Sequence, residues 1–416
     1  MKILFLPAYF YPENASSPYL SLTRNQAFAD IGIDMLVYTP TPTRNIPDEV
    51  YREYKNKRIE VLYDGRMTIR RFRMFREGKN PIMRALRYTL CCIRQMAYGF
   101  WVKDADVMLI SSTPPIQGAM AAIIKKVRRI PFVYNLQDIF PDSLVGTGLA
   151  RKNSLLWKIG RRIENFTYRN ADRIIVISQD FKRNIIAKGV PEEKIEVIYN
   201  WVDEQAIVPV PREENPLFDE FGLDRNQFYV VYAGNLGSAQ NIDIILDAAD
   251  RTRDVLDLQF LIFGAEEQAA PYRERASRLQ LPNLKILPIQ PYARVSFVYS
   301  LANAALVICK KGFGDIAMPS KTWNIMSAGT AVLACFDSGT DMQRIIETNC
   351  LGRFTEAENV EAFVEAVLAL HGDPQECARM GKQGRQYILD NLTREIGTFK
   401  YVETMKSVYN ASRKKE

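Results

Sequence analysis

The sequence predicts an α/β protein built from two doubly wound parallel-sheet domains. Its 416 residues exceed one ordinary domain and suit two of about 200. Short apolar or β-branched runs alternate with helical patterns nearly throughout, which is the signature of parallel strands with helices on both sheet faces. The alternation pauses once, over a Pro- and Glu-containing stretch at Val208–Pro216, and then restarts.

In the first half, Ile3–Leu6, Met35–Tyr38, Val107–Ile110, Phe132–Asn135, Arg173–Ile177 and Ile195–Ile198 read as strands. Between them Ser21–Asp30, Ile116–Arg128, Ser154–Arg169 and Asp180–Lys188 carry helical periodicity. After the pause, Phe228–Tyr232, Gln259–Phe263, Leu284–Leu287, Ala305–Cys309 and Ala331–Cys335 repeat the strand pattern. The chain ends in helical stretches at Val360–Leu370, Asp373–Asn391 and Arg394–Ser412. The expected division is 1–205 and 206–393, with the last helix, 394–416, returning to the first domain. Strand C-termini of the two domains are expected to face each other across a cleft.

Composition excludes several function classes. A hydrophobic share of 47% supports substantial cores and argues against disorder. The cysteines Cys91, Cys92, Cys309, Cys335, Cys350 and Cys377 form no C-x-x-C pair, so they read as reduced thiols. With His371 as the only histidine, no zinc-type metal site is expected. The apolar N-terminus is interrupted by Pro7, Pro12 and Glu13, which favours a buried first strand over a leader. No charge-free apolar run reaches 18 residues, so a soluble or peripheral protein is expected. Neither half follows its first strand with G-x-G-x-x-G, which disfavours dinucleotide-dependent hydride transfer.

Two segments of the second half carry anion-binding chemistry. Tyr232-Ala-Gly-Asn-Leu-Gly-Ser-Ala-Gln-Asn241 leaves a strand and opens a helix, where Gly234 and Gly237 allow a tight turn and free N–H groups await an anion. Lys310-Lys-Gly-Phe-Gly-Asp-Ile-Ala-Met-Pro-Ser-Lys321 also follows a strand, joining lysines, glycines and a Pro-Ser-Lys helix start with Ser320 as expected N-cap. Each alone is compatible with a plain strand-to-helix turn. Two at one sheet edge point to a diphosphate.

Tyr232–Asn241, Leu287-Pro-Ile-Gln-Pro291 and Pro319-Ser-Lys-Thr-Trp-Asn-Ile-Met-Ser-Ala-Gly329 resemble the donor-binding half of the family 4 glycosyltransferases, most closely the WbuB-like members of bacterial polysaccharide synthesis. Asn135–Asp142 and Val197–Asp203 match further family landmarks in the first half. The resemblance implies the GT-B fold of two Rossmann-like domains and a retaining, metal-independent transfer with no cofactor. It implies that Gly234, Asn235, Gly237 and Gln240 approach the donor diphosphate and that Pro288, Ile289 and Gln290 line the base. Lys310, Gly312, Asp315, Pro319, Ser320 and Lys321 would surround sugar and phosphates, Asn324 would reach the ribose, and Asp138 would orient the acceptor or the transferred sugar. Asp138 and Lys321 are the catalytic candidates.

The chain departs from the family pattern at defined places. Asn235 and Gln240 stand where many members carry Arg and Lys, so Lys321, helped by Lys310 or Lys311, is expected to supply the positive charge. Ile316 and Asn324 occupy the places of the paired glutamates, and Gln137 that of a histidine. Asn14-Ala-Ser-Ser17 replaces a Gly-Gly turn. Asp104-Ala-Asp106 has the form of a metal-binding D-x-D but precedes a strand and is expected to be structural.

Net charge is +7, yet Tyr51–Lys103 alone holds fourteen Lys/Arg against four Asp/Glu. The stretch combines the basic-aromatic run Arg66–Arg76 with a helical pattern from Pro81 to Val102. On that helix Arg84, Arg87, Arg94 and Gln95 gather in one stripe and most of the remaining surface is apolar, Trp101 included. Docking on an anionic membrane, with Arg84, Arg87, Arg94 and Trp101 at the contact, is one expectation. A helix packed on the sheet with snorkelling arginines is the other. No nucleic-acid motif accompanies the charge. The function expected is transfer of a sugar, an N-acetylated hexosamine or a deoxy derivative, from a UDP-sugar to a polyprenyl-diphosphate-linked saccharide at the cytoplasmic membrane face. A nucleotide-sugar epimerase and a non-catalytic nucleotide-sugar or membrane-binding protein are the rival expectations.

Overall fold

Parallel strands separated by helices bury both sheet faces, and the strands accordingly read as nearly continuous apolar runs. In the computed structural model, which describes residues 1–13, 18–44, 46–76, 80–146 and 150–414, these runs build two sheets. The first contains β1 (Lys2–Phe5), β2 (Asp34–Pro40), β3 (Ile59–Leu62), β4 (Met67–Phe72), β5 (Val107–Ser111), β6 (Phe132–Leu136), β7 (Arg173–Val176) and β8 (Ile195–Val197), in the order β3-β4-β2-β1-β5-β6-β7-β8. Among the described residues only the β3–β4 pair is antiparallel. The second contains β9 (Phe228–Ala233), β10 (Leu258–Gly264), β11 (Leu284–Pro288), β12 (Ala304–Ile308), β13 (Ala331–Phe336) and β14 (Gly352–Glu356), all parallel, in the order β11-β10-β9-β12-β13-β14.

The chain forms two compact units, Met1–Tyr199 with Glu395–Glu416, and Asn200–Arg394. The second unit therefore begins six residues earlier than the composition change suggests. Its own backbone explains why: Val202 N–H donates to the Leu392 carbonyl, and the Ile207 carbonyl accepts from Ser327 and Arg385. Arg394 stays with this unit because its N–H donates to Glu204. The stretch around Val208–Pro216 is fixed rather than loose, since the Val208 and Val210 amides donate to Ser296 and Ser300. The final helix, Arg394–Arg413, packs on the first unit, where the Tyr401 hydroxyl donates to Asn135 at 3.0 Å.

The sheet has members that the hydrophobic pattern hides. Arg66–Arg76, expected as part of a membrane-facing block, contains β4, a strand paired with β2 in the interior of the order. Its Arg71 is buried against Glu60 and lies over the Tyr54 ring. The pleat alternates sides, so a strand can carry arginines on its open face and still pair on both edges. The Asn14–Ser17 turn lies outside the described residues.

The Pro81–Trp101 helix starts as its sequence dictates, with Asn80 accepting from the Ile82 and Met83 amides and proline in the first turn. Its orientation corrects one expectation. Arg87 and Gln95 are both 0% exposed, because their part of the polar stripe faces the sheet. Gln95 donates to the Pro7 and Tyr38 carbonyls and accepts from Gln117, while Arg87 donates to Thr43. Backbone carbonyls without a strand partner need donors, and Gln95 supplies one to Pro7 and Tyr38. Arg87 is thus a structural residue and no part of a membrane contact. No helix among the described residues is long and apolar enough to cross a membrane.

Candidate active site

In an open parallel sheet, ligands gather where neighbouring strands send their connections to opposite sides. In the second unit that point lies between β9 and β12, because β10 and β11 follow β9 on one side while β13 and β14 follow β12 on the other. The two segments predicted to bind an anion are the turn after β9 and the loop after β12. They are joined directly: the Lys310 N–H donates to the Ala239 carbonyl at 2.9 Å, and the Cys309 thiol donates to the same carbonyl.

The turn after β9 is shaped by close approach. Gly234 has φ +137°, which side chains rarely tolerate, and a Cβ there would lie 3.0 Å from the Lys321 Nζ. A Cβ on Gly264, the last residue of β10, would lie 2.4 Å from Leu236 Cδ1. Leu236 is buried while Asn235 beside it is exposed. The Tyr232 hydroxyl donates to the Asn235 carbonyl at 2.6 Å and holds the turn from below. Gln240 is half-buried, and its side-chain oxygen lacks a partner among the described residues.

Lys321 dominates the site. Its Nζ lies 3.9 Å from the centre of the Tyr232 ring. Among the described residues it makes no hydrogen bond and no ion pair. Burial lowers its pKa from 10.5 to about 8, against which the nearby Cys309 acts weakly in the other direction. The residue as a whole keeps some surface, but its ammonium sits deep beneath the turn. A desolvated cation without a counter-ion, over a ring face and against a glycine turn, is poised for an anion. Lys310 also has no ion pair among the described residues.

The rest of the loop departs from expectation. Gly312 and Gly314 do not offer their amides to a ligand: the Gly312 N–H donates to Asp337 at 2.8 Å and the Gly314 N–H at 2.7 Å. A Cβ on Gly314 would lie 2.7 Å from both Asp337 Cβ and Thr340 Cγ2, so the glycine is required by packing. Lys311 turns away to pair with Glu356 at 3.3 Å. Ser320 occupies the N-cap place of the Lys321–Ser327 helix, but its backbone is already helical and its hydroxyl makes no cap. Among the described residues the amides of Ser320 and Lys321 donate to no backbone carbonyl. Asp315 is exposed and Pro319 half-buried on the same loop, and Asn324 is half-buried one turn beyond Lys321.

Pro288 ends β11 and Ile289 and Gln290 follow it, two strands from β9 on the same sheet edge. The Ile289 N–H donates to the Gly264 carbonyl at 3.0 Å, and its side chain is exposed. Gln290 is oriented by accepting from Arg294 at 2.8 Å.

In the first unit, Asp138 follows β6 and accepts from the Ser143 hydroxyl at 3.2 Å. Its side chain reaches solvent, yet crowding by the surrounding protein raises its pKa, opposed by that hydrogen bond. Gln137, in the histidine place, donates its N–H to Ser112 and its side-chain amide to Asn135, which also accepts from Tyr401. Asp106 accepts the Lys2 N–H at 2.7 Å, a structural bond for the D-x-D pattern. Among the described residues no group of three His, Cys, Asp or Glu could hold a metal ion.

Sequence reasoning gave no role to Asp337 or Tyr232. Asp337 sits at the end of β13, where an acid facing a Gly-x-Gly loop is the available signal. Replacing Asp337 by alanine frees two amides that now share a charged acceptor, at a cost of about 1–2 kcal/mol. Thermal unfolding should detect a fall in Tm of roughly 2–8 °C for a unit of this size.

Residues 25–206 match the family Glycosyltransferase Family 4, and residues 213–387 match Glycosyl transferases group 1. The chain is 27% identical to the probable glycosyltransferase WbjE of Pseudomonas aeruginosa over 60% of its length. It is likewise 27% identical to the putative colanic acid biosynthesis glycosyl transferase WcaI of Escherichia coli over 59% of its length. The matched regions span 62% and 61% of those relatives. Among solved structures, sucrose-phosphate synthase of Thermosynechococcus elongatus superposes with a TM-score of 0.77 at 14% identity, covering 99% of both chains. HepE of Anabaena, crystallised with UDP, gives 0.72 at 16% identity, covering 98% of this chain and all of the other. At such identities the structural likeness is one of fold, the GT-B fold. Both halves of the sequence thus match glycosyltransferase families, and the chain belongs to the family 4 glycosyltransferases.

Proposed function

We propose that the chain is a retaining glycosyltransferase of bacterial polysaccharide assembly. It takes a sugar, an N-acetylated hexosamine or a deoxy derivative, from a UDP-sugar and passes it to a polyprenyl-diphosphate-linked saccharide at the inner membrane face. The observation that carries this reading is the Lys321 ammonium, buried without a counter-ion against Gly234 at the strand-order reversal. The names of WbjE and WcaI support the polysaccharide context, and the UDP held by HepE supports the donor class.

In this mechanism the bond between the anomeric carbon and the diphosphate oxygen breaks as the acceptor oxygen bonds to the same face. The acceptor proton passes to the departing diphosphate, so no protein nucleophile and no metal is needed. Lys321 opposes the charge growing on the leaving group, and Lys310 adds to the field. The turn at Gly234–Gln240 and the amides of Ser320 and Lys321 position the phosphates. Asp138 orients the acceptor hydroxyl.

Purified chain supplied with labelled UDP-N-acetylhexosamines and a polyprenyl-diphosphate oligosaccharide should move label into the lipid fraction in the presence of EDTA. Label appearing as a new nucleotide sugar without acceptor would instead establish an epimerase, and UDP binding without any turnover a binding protein.

The lowered pKa of Lys321 gives this site a pH signature. Bound diphosphate favours the charged ammonium, so binding takes up a proton wherever the free protein has lost one, above about pH 8. UDP affinity should fall as pH rises from 8 to 9, by up to about tenfold per unit. Calorimetric titration of Lys321→Met should show a weak affinity without this slope.

A further inference from the structure

An amphipathic helix on a soluble domain turns its apolar stripe to the sheet and its polar stripe to water. The Pro81–Trp101 helix does the reverse: Arg87 and Gln95 are buried, while Ile82 is 76% and Trp101 83% exposed, with Met83, Leu86, Leu90 and Ile93 also exposed. Inversion extends to its neighbours. The Ile116–Arg128 helix packs beside it and exposes Ile123 and Val127; the Leu155–Asn170 helix packs beside that and exposes Leu155, at 76%, with Leu156 and Ile159. The right-handed crossovers that join β4 to β5, β5 to β6 and β6 to β7 place all three on one face of the first sheet.

Charge on this face has one sign. The three helices hold a single acid, Glu164, and it is buried among Arg161, Tyr168 and Lys188. Arg94, Lys126, Lys158 and Arg162 stand exposed between the apolar side chains.

We infer that these three helices form one docking face that seats the first unit on an anionic lipid leaflet. Apolar side chains enter the acyl boundary while the arginines and lysines meet phosphate headgroups. The inference rests on the peripheral attachment proposed above and enlarges it, from the Pro81–Trp101 helix alone to a platform that includes Val127 and Leu155–Arg162. A second copy of the chain is a poor occupant, because a two-fold contact would oppose Arg94, Lys126, Lys158 and Arg162 to their own copies. Arg94 keeps its predicted place on this face, and Arg87 does not; Arg84 is half-buried, with its Nε shielded from solvent.

Flotation on phosphatidylglycerol-containing vesicles and on phosphatidylcholine vesicles tests it. Wild-type chain should float with the anionic vesicles, decreasingly as salt rises, and stay behind with the neutral ones. Leu155→Glu with Leu156→Glu, and separately Lys158→Glu with Arg162→Glu, should each lower anionic-vesicle partitioning at least tenfold. Leu256→Glu, at an 86% exposed leucine of the second unit, should leave it unchanged. The UDP-induced rise in Tm should persist in all three variants, which separates loss of docking from loss of the nucleotide site. Wild-type partitioning by both helix variants would overturn the inference. So would a salt-resistant dimer of the wild type that those variants dissolve without any vesicle binding.

Discussion

Replacing Lys321 by methionine should make the free protein more stable and nearly abolish nucleotide binding. The folded chain holds this ammonium desolvated and unpaired, with a pKa of about 8 against 10.5. Below pH 8 both folded and unfolded chains carry the proton, and the whole penalty of about 3 kcal/mol acts against folding. Between pH 8 and 10.5 the unfolded chain binds more protons than the folded one, so wild-type stability should rise with pH across that window. Methionine has a similar length and no charge, so Lys321→Met should show a higher Tm at pH 7 and lack the alkaline gain. The same substitution removes the cation facing the diphosphate, which should lower UDP affinity and transfer rate by about 10²–10³-fold. Stability and function moving in opposite directions is the mark of a residue held for its ligand. A scanning calorimeter at pH 7 and pH 9.5, with a UDP titration, reads both effects.

Replacing Gly381 by alanine should have a large effect on stability. A Cβ there would sit 2.0 Å from the Gly329 carbonyl oxygen and 2.8 Å from its carbon. Both are backbone atoms, so no rotamer can give way. Gly329, at φ +71°, ends the Lys321–Ser327 helix, and its N–H donates to the Met326 carbonyl. Forcing the Pro374–Asn391 helix away therefore pulls on the segment that carries Lys321 and Asn324. The expected loss is about 3 kcal/mol, or a Tm lower by roughly 6–12 °C for a unit of this size, with weakened UDP binding at temperatures where the chain is still folded. Gly384→Ala is the control. Its Cβ would meet the Met326 side chain at 3.3 Å, and that side chain is flexible enough to move.

Much of the second unit was legible because its information is local. Strands such as Phe228–Ala233 are short runs of buried residues, and the two glycine turns that follow strands sit where the strand order reverses. Lys321 was expected from its loop as a cation for phosphates, but its unpaired burial over Tyr232 was not legible, since that depends on a ring supplied by another strand. The loop amides were misjudged for the same reason. A Gly-x-Gly run looks ready for phosphate until Asp337, more than twenty residues later, is brought beside it. In the first unit, β4 was hidden because Arg70 and Arg71 break the apolar run, and only pairing with β2 and the Glu60 partner make that strand tolerable. The inverted helix is the sharpest case. Its period was plain, but which face turned inward was decided by the Pro7 and Tyr38 carbonyls that Gln95 satisfies, and no pattern of hydrophobicity contains them.

The central claim is that a nucleoside diphosphate binds at the reversal point of the second sheet against Lys321. Thermal unfolding with UDP, GDP, ADP, CMP and several UDP-sugars, with and without EDTA, tests it most directly. A ligand that binds only the folded chain raises Tm. The account predicts a rise that is selective for UDP compounds, indifferent to EDTA and absent in Lys321→Met. A wild-type chain whose Tm no nucleotide moves, or a UDP effect that survives in Lys321→Met, would contradict it.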